Sequence, residues 1–269
     1  MSNAKSVLRE LVRLSRRLGE PERDLAILGE GNTSARCDDG TFWVKASGTQ
    51  LRTIAEEGFV RLWLEPVRAL AEGPDLDDVA LKQALDAAKV DPTVAQRPSV
   101  ETVLHALALA EAGASFVGHT HPVAVNAVAC SVGAGQALSG RLFPDEIVVC
   151  GPAPLYIPYA NPGLALARAV REGFRRYRAE WGQPPRVVVM QNHGLIALGG
   201  TAEEVDSLTA MTVKVCRILA GTYAFGGPRF LSPEEVEHIH TRPDEAYRRK
   251  QLGLWQAPGK KGPDDTTTG

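Results

Sequence analysis

The chain has 269 residues and a formal net charge of −2 at pH 7, with 44% hydrophobic and 23% charged residues. This apolar content is enough for one sizeable core, and the nearly neutral charge balance argues against nucleic acid and anionic membranes as partners. No apolar run reaches the roughly 20 residues that a membrane-spanning helix needs. We therefore expect a cytoplasmic protein with a small-molecule partner, no nucleic acid and no membrane association.

The predicted elements mix helices and short strands without regular alternation. Apolar residues spaced three and four apart predict helices over 5–18, 76–88, 100–112, 163–178, 202–219 and 233–239. Apolar and β-branched runs bounded by turn residues predict strands over 25–28, 33–37, 42–45, 59–64, 116–119, 146–150, 186–191 and 195–198. This order favours one α/β domain with a largely antiparallel sheet over residues 1–255, and a polar, disordered tail over 256–269.

Three histidines stand at the ends of predicted strands. His119 and His121 are two residues apart, and in an extended chain such side chains point to the same side. His193 follows a later strand, where its side chain can reach a cleft. Three imidazoles suit zinc, although Mn²⁺, Co²⁺ or Fe²⁺ could occupy such a site. Each histidine alone could equally be an ordinary polar residue, so the hypothesis depends on all three.

A second pair of histidines has the same spacing in a different context. His238 and His240 lie in or at the end of the predicted helix 233–239. Side chains two residues apart on a helix diverge by about 200°. We assign this pair no metal.

Glu101 lies in the first turn of the predicted helix 100–112, for which Ser99 is the expected N-cap. A carboxylate at this place can simply be stabilised by the helix dipole. Alternatively, it can transfer protons beside a metal. His105 follows one turn later on the same face, where it could orient Glu101 or merely occupy the helix surface.

Two short polar loops, 29–34 and 45–49, are rich in glycine and small donors. Each alone is a weak signal, because similar sequences occur in many turns. Together they offer backbone N–H groups, hydroxyls, an amide and the ammonium group of Lys45. This is the chemistry that binds an anion such as phosphate.

Five motifs, in this order along the chain, resemble those of the class II aldolase/adducin-like family, which is typified by L-fuculose-phosphate aldolase. They are Gly-Asn-x-Ser, Lys-x-Ser-Gly, Pro-Ser-x-Glu-x-x-x-His, His-x-His and Asn-His-Gly, and the resemblance spans roughly residues 5–225. It implies a three-layer α/β/α domain with a mainly antiparallel central sheet. It also implies a homotetramer with active sites between subunits.

The resemblance also implies roles for individual residues. His119, His121 and His193 correspond to the zinc ligands, and Glu101 to the acid/base that moves the substrate proton. The metal would act as a Lewis acid on a ketose carbonyl and stabilise the enediolate as the carbon–carbon bond breaks. The phosphate-binding positions of the family correspond to Gly29, Asn32, Ser47, Gly48 and Ser99.

The chain departs from the family pattern at the anion site. Val100 stands where phosphate-binding members have a second serine, and Gly29 where several have threonine. Two hydroxyl donors are therefore missing. Lys45 could compensate with its positive charge.

The acid that a neighbouring subunit contributes in the family, often a tyrosine, should fall near residues 142–146. Asp145 is the substitute that we favour there, with Tyr247 as another candidate. Either residue could also be an ordinary surface side chain.

Members of this family catalyse several different reactions at this metal site, and the residues named above do not distinguish among these reactions. We expect an aldolase that cleaves a ketose 1-phosphate to dihydroxyacetone phosphate and an aldehyde, by analogy with the commonest use of the scaffold. The alternatives are a dehydratase of the methylthioribulose-phosphate type, a pentulose-phosphate epimerase and a keto-acid decarboxylase.

The complete set of three histidines and Glu101 argues against a non-catalytic adducin-like binding module. A structural zinc site usually has four protein ligands and is rich in cysteine, so three histidines argue against a purely structural zinc site in this chain.

Overall fold

A seven-stranded sheet forms the centre of the described chain, which comprises residues 3–251 and 253–254 of a computed structural model. Its strands are β1 Asn32–Arg36, β2 Thr41–Lys45, β3 Phe59–Trp63, β4 Phe116–Thr120, β5 Leu155–Ile157, β6 Val187–Met190 and β7 Gly194–Gly199. Their order across the sheet is β3-β2-β1-β4-β7-β6-β5, and among them β5 and β6 alone pair in parallel. The predicted mainly antiparallel sheet is confirmed. The tail predicted over 256–269 lies outside the described residues.

Helices cover both faces of this sheet. They are α1 Asn3–Leu18, α2 Leu64–Ala69, α3 Asp78–Ala87, α4 Thr102–Ala110, α5 Val123–Ala129, α6 Ala134–Ala137, α7 Pro144–Cys150, α8 Leu164–Trp181, α9 Ala202–Thr222, α10 Pro233–Thr241 and α11 Pro243–Gln251. One face packs against α2, α3, α4 and α8, and the other against α1, α5, α6, α7 and α9. The expected three-layer α/β/α arrangement is confirmed. None of the described helices is long and apolar enough to cross a bilayer.

Side-chain alternation along the strands divides the core into two apolar layers. In β6, Val187 and Val189 belong to the apolar layer that also contains residues of α1, α5 and α9, whereas Val188 and Met190 belong to the layer that contains residues of α4 and α8. All four side chains are buried, which is why this strand is a continuous apolar run. The same alternation decides which polar side chains face α4 at the ends of the central strands.

The strand predicted over 146–150 is wrong, because this segment belongs to helix α7. Pro144 lies in its first turn, where a missing N–H is harmless, and Asp145 adds a favourable negative charge there. The Glu146 carboxylate accepts a hydrogen bond from the Arg141 side chain at 2.6 Å. The apolar residues that follow are buried on one side of a helix, and a run this short does not distinguish helix from strand.

The strand predicted over 25–28 is also wrong, because these residues form a loop. The Leu25 carbonyl accepts a hydrogen bond from the His121 N–H at 2.8 Å, but Leu28 has a left-handed φ of 51°, which interrupts an extended chain. Ile27 and Leu28 are 67% and 76% exposed. Their apolar side chains therefore belong to the surface beside the histidines and not to the core.

A glycine inside α8 yields a test of this packing. A Cβ on Gly173 would lie 2.6 Å from Ile157 Cδ1 and 3.0 Å from Leu155 Cδ2, and both neighbours are buried in β5. We expect Gly173→Ala to lower the free energy of unfolding by about 1–3 kcal/mol through overpacking, although alanine is the better helix former. Urea unfolding measures the change.

The matched control is the same substitution on a free helix surface. A Cβ on Gly221 of α9 meets no atom within 4 Å, so Gly221→Ala should raise the free energy of unfolding by up to about 1 kcal/mol. If both variants are stabilised, then α8 and β5 do not pack as closely as described.

Candidate metal centre

Three histidines converge where the central strands end. His119 belongs to β4, His121 follows directly, and His193 lies in the turn between β6 and β7. One nitrogen from each ring lies within 4.8 Å of the others, and the Nε2 atoms of His119 and His121 are 3.0 Å apart. The structure therefore brings together the three residues that the sequence predicts as metal ligands.

Two glycines allow the backbone segments around these histidines to approach closely. A Cβ on Gly194 would lie 2.5 Å from the Thr120 carbonyl oxygen and 2.8 Å from His121 Cδ2. A Cβ on Gly31 would lie 2.7 Å from the His119 carbonyl oxygen. Any larger residue would push β7 or the loop before β1 away from the histidines. This is the physical reason for glycine in the Asn-His-Gly motif.

His119 and His121 present neutral rings that fit a divalent cation. His119 Nδ1 lies 3.0 Å from the Leu195 carbonyl oxygen, so Nδ1 donates its proton there and Nε2 keeps a free lone pair. Burial lowers the pKa of His119 and lowers that of His121 to about 4. Both rings are therefore neutral at pH 7. Converging lone pairs of neutral imidazoles are a donor set that zinc prefers.

Glu101 places a buried carboxylate beside these rings. Its Oε1 lies 3.1 Å from His193 Nε2, and its Oε2 lies 3.7 Å from His119 Nε2. Burial opposes the charge on this carboxyl group, but the neighbouring histidines and a hydrogen bond from Asn32 outweigh it and hold its pKa below its ordinary value. Glu101 is therefore ionised at neutral pH and within reach of the space that the histidines surround.

A chain of buried polar side chains leads away from Glu101. Asn32 Nδ2 donates to Glu101 Oε2 at 2.7 Å, and Asn32 Oδ1 contacts His105 Nε2. His105 Nδ1 lies 2.7 Å from Ser34 Oγ. The structure thus places Asn32 between His105 and Glu101. Ser34 was missed as a functional candidate, although its spacing of two residues from Asn32 on a strand puts both on the same face.

Ser99 is not the N-cap of α4, because the helix begins at Thr102 and Glu101 occupies the N-cap position. The Ser99 hydroxyl is instead buried, and no hydrogen-bond partner for it is found among the described residues. Leaving a buried hydroxyl unpaired costs free energy. The position of Ser99 therefore suits a substrate oxygen or a water molecule.

Backbone pairing joins the loop 45–49 to the segment that carries Ser99. Ala46 forms an antiparallel bridge with Pro98, and the Ser47 N–H donates to the Arg97 carbonyl at 2.8 Å. Two of the predicted anion-binding segments are therefore adjacent. Sequence spacing alone could not show this, because about fifty residues separate them.

Lys45 connects the other polar loop to this group. It is only 4% exposed, and its Nζ donates to the Gly29 carbonyl at 3.2 Å. Burial lowers the pKa of its ammonium group, although the charge of Glu101 acts in the opposite direction. Ser47 and Gly48 are exposed. Lys45 is thus the positive group among the predicted phosphate-binding residues, next to a carboxylate.

Asp145 lies apart from these contacts. It is in the first turn of α7 and forms an ion pair with Arg248 at 2.8 Å, with both side chains about half exposed. Tyr247, the other candidate acid, is 66% exposed on α11. Among the contacts of the described residues, none joins Asp145 or Tyr247 to the histidines of the same chain.

A surface cleft of about 470 Å³ opens beside His121. Its size falls within the usual range for small-molecule sites. The cleft is lined by Gly19, Pro21, Asp24, Ala26, Ile27, Leu28, Glu30, Gln50, Leu51, Arg52, His121, Val123 and Asn126. The exposed loop 25–28 forms one of its walls.

The fold and this donor set are those of a protein that can bind a divalent metal next to a carboxylate. A family model described as Class II Aldolase and Adducin N-terminal domain matches residues 9–220. Because the match covers most of the chain, the protein belongs to the class II aldolase/adducin family.

The chain is also similar to a curated relative and to two solved structures. The chain is 30% identical over 202 residues to a Bacillus subtilis (strain 168) protein named uncharacterized oxidoreductase YuxG, which covers 72% of this chain and 27% of that protein. The chain thus spans about a quarter of that relative's length. An L-fuculose 1-phosphate aldolase structure is 18% identical with a TM-score of 0.67 and covers 92% of this chain and 98% of its own. The structure of the N-terminal class II aldolase domain of a conserved Thermoplasma acidophilum protein is 29% identical with a TM-score of 0.62. The match covers 79% of this chain and 93% of that domain structure.

The buried ring of His105 yields a prediction on pH-dependent stability. Burial lowers its pKa from 6.5 to about 3, so between these values the unfolded chain binds a proton that the folded protein does not. Its contribution to stability is therefore fully present above pH 6.5 and is lost as the pH falls towards 3. We expect His105→Gln to reduce the slope of unfolding free energy against pH by up to about 1.4 kcal/mol per pH unit between about pH 5 and 6.5.

Urea unfolding in the presence of a chelator, at several pH values, measures this slope. His238→Gln is the matched control, because His238 is exposed on α10 and should leave the slope unchanged. Equal slopes in wild type and His105→Gln would contradict a neutral, buried His105.

Proposed function

We propose that the chain is a class II aldolase that cleaves a ketose 1-phosphate to dihydroxyacetone phosphate and an aldehyde, with zinc held by His119, His121 and His193. A divalent metal bound there supplies Lewis-acid polarisation of the substrate carbonyl. Family membership supports this reading, and the neutral rings and converging nitrogens fit the metal. The proposal concerns this chain, since the relatives' names describe only those proteins.

The observation that carries the proposal is the placement of Glu101. Its carboxylate is buried, ionised at neutral pH and 3.1 Å from His193 Nε2. A purely structural metal site has no need of a buried base beside its ligands. An aldolase does, because cleavage ends with delivery of a proton to the carbon next to the ketone, and the reverse condensation begins with its removal.

Polar groups of the loops 29–34 and 45–49 and of the segment before α4 are suited to the substrate phosphate. The Lys45 ammonium supplies the positive charge, and the unpaired Ser99 hydroxyl is a free donor. The exposed Ser47 and Gly48 add a hydroxyl and backbone N–H groups. Gly29 lies beside Lys45, because its carbonyl oxygen accepts a hydrogen bond from the Lys45 ammonium group. These groups hold one end of the substrate while Glu101 acts at the other.

A second acid/base is needed at the substrate hydroxyl that becomes the aldehyde oxygen, because cleavage removes the proton from this hydroxyl and condensation returns it. We assign this role to Asp145 of a neighbouring subunit in a homotetramer, because Asp145 is half exposed and none of the contacts of the described residues joins it to the histidines of its own chain. Its partner Arg248 is equally exposed, so this ion pair can open at low cost.

Metal content and product release test the proposal together. We expect wild type to bind about one equivalent of zinc per chain and to release dihydroxyacetone phosphate from at least one of a panel of ketose 1-phosphates. His119→Ala should lose both the metal and the cleavage. Elemental analysis and an enzymatic triose-phosphate assay measure the two quantities.

His238→Ala is the control, because it removes a histidine from the surface helix α10 and should retain both metal and activity. Metal without cleavage of any panel member would redirect the assignment to a dehydratase, epimerase or decarboxylase. If the wild-type protein binds no metal when zinc is supplied in excess, the aldolase proposal is wrong and a binding module becomes the better explanation.

Glu101→Gln separates proton transfer from metal binding. The amide keeps the shape of the side chain but cannot accept a proton, so we expect metal to be retained and turnover to fall by at least about 100-fold. Steady-state kinetics of the zinc-loaded variant measure the fall. Full activity would remove Glu101 from the mechanism.

A further inference from the structure

The buried contacts of Ser34, His105, Asn32 and Glu101 allow only one arrangement of protons. The Asn32 amide must turn its NH₂ group towards the Glu101 carboxylate, so its oxygen faces His105 Nε2. An amide oxygen only accepts, so His105 Nε2 carries the proton, and Nδ1 accepts from the Ser34 hydroxyl. The hydrogen bond from Asn32 to Glu101 Oε2 thereby determines every donor and acceptor in this chain of contacts.

Water does not replace these contacts. His105 and Ser34 are fully buried, and Asn32 is 6% exposed. If the Asn32 amide were reversed, its oxygen would face the carboxylate, and two acceptors would be buried together, which is costly in a low-dielectric interior. The proton on His105 Nε2 in turn gives the Asn32 oxygen a buried donor, so His105 supports the orientation that the carboxylate requires.

We propose that His105 and Asn32 are positioning residues that hold Glu101 Oε2 in place and leave Oε1 as the oxygen that exchanges the substrate proton. This inference rests on the proposed proton transfer by Glu101. It also changes the role of Asn32, which the family resemblance assigns to phosphate. Its amide oxygen and one N–H are used within this chain of contacts, which leaves at most one N–H for the phosphate.

The geometry at the other oxygen agrees with this division. Oε1 is the atom that faces His193, at 3.1 Å, whereas Oε2 receives the hydrogen bond from Asn32 at 2.7 Å. In the proton step, the C–H bond next to the substrate carbonyl breaks, the proton passes to Oε1, and the electron pair moves onto the carbonyl oxygen. The reverse step returns the proton to carbon.

Exchange of the carbon-bound proton of dihydroxyacetone phosphate in D₂O tests this step without knowledge of the aldehyde. NMR follows deuterium incorporation by the zinc-loaded, full-length chain. We expect His105→Leu, which removes the donor to Asn32, to slow exchange at saturating ligand by about 10- to 100-fold. His105→Gln, whose amide N–H can take the place of Nε2–H, should recover most of that loss.

Asn32→Ala distinguishes positioning from phosphate binding. Positioning predicts a lower exchange rate at saturation with little change in the half-saturating concentration of dihydroxyacetone phosphate. A phosphate-binding role predicts the opposite pattern. Thr209→Val is the control for loss of a buried polar group, because Thr209 is fully buried on α9 and bonds only to its own helix at the Val205 carbonyl.

One further measurement is made on the wild-type protein, so its result does not depend on whether a variant folds correctly. ¹⁵N NMR of the histidine rings should show His105 as the Nε2–H tautomer, with its Nδ1 shifted by an accepted hydrogen bond, and Ser34→Ala should remove that shift. An Nδ1–H tautomer, or equal exchange rates in His105→Leu and wild type, would overturn the positioning role. No exchange in metal-loaded wild type with the Nε2–H tautomer present would instead refute the proposed aldolase while leaving the hydrogen-bond arrangement intact.

Discussion

The burial of one ionised carboxylate governs the arrangement of the whole site. Glu101 is removed from most solvent, and an unpaired charge in such a place costs several kcal/mol. The structure offsets this cost with an amide donor from β1 and with imidazoles from β4 and the β6–β7 turn. Three separate parts of the sheet must therefore meet at the start of α4. Their close approach explains why Gly31 and Gly194 cannot carry side chains.

The register of the paired strands brings these side chains together. Asn32 pairs with His119 across β1 and β4, and Thr120 pairs with Leu195 across β4 and β7. Because side chains alternate, Asn32 and His119 face α4, while Thr33 between Asn32 and Ser34 faces α1 and lies 2.6 Å from Ser15. A slip of one residue in this register would turn the histidine and the amide towards the wrong layer.

Sequence patterns predicted the long helices and most of the strands to within a few residues, but they were wrong for two short segments. The helices α1, α8 and α9 have extended apolar periodicity, and their predicted positions agree with the structure to within a few residues. The segments 25–28 and 146–150 carry only four or five relevant residues, so helix, strand and loop leave almost the same pattern. In both cases the outcome depends on contacts made elsewhere: a left-handed Leu28 next to the β4 end, and a buried Glu146 bonded to Arg141.

The sequence by itself determined the family and identified the three histidines and Glu101 as the candidate site, because these follow from local spacing and from motifs whose order is specific. Only the tertiary structure decided how the remaining polar residues are used. Asn32 is 69 residues from Glu101 and 73 from His105, and contacts over such distances leave no periodic trace in a single sequence. The same holds for Ser99, which has a buried, unpaired hydroxyl and directly follows the bridge between Ala46 and Pro98. Sequence spacing specifies which groups share a strand face, but packing between strands and helices determines which of them touch.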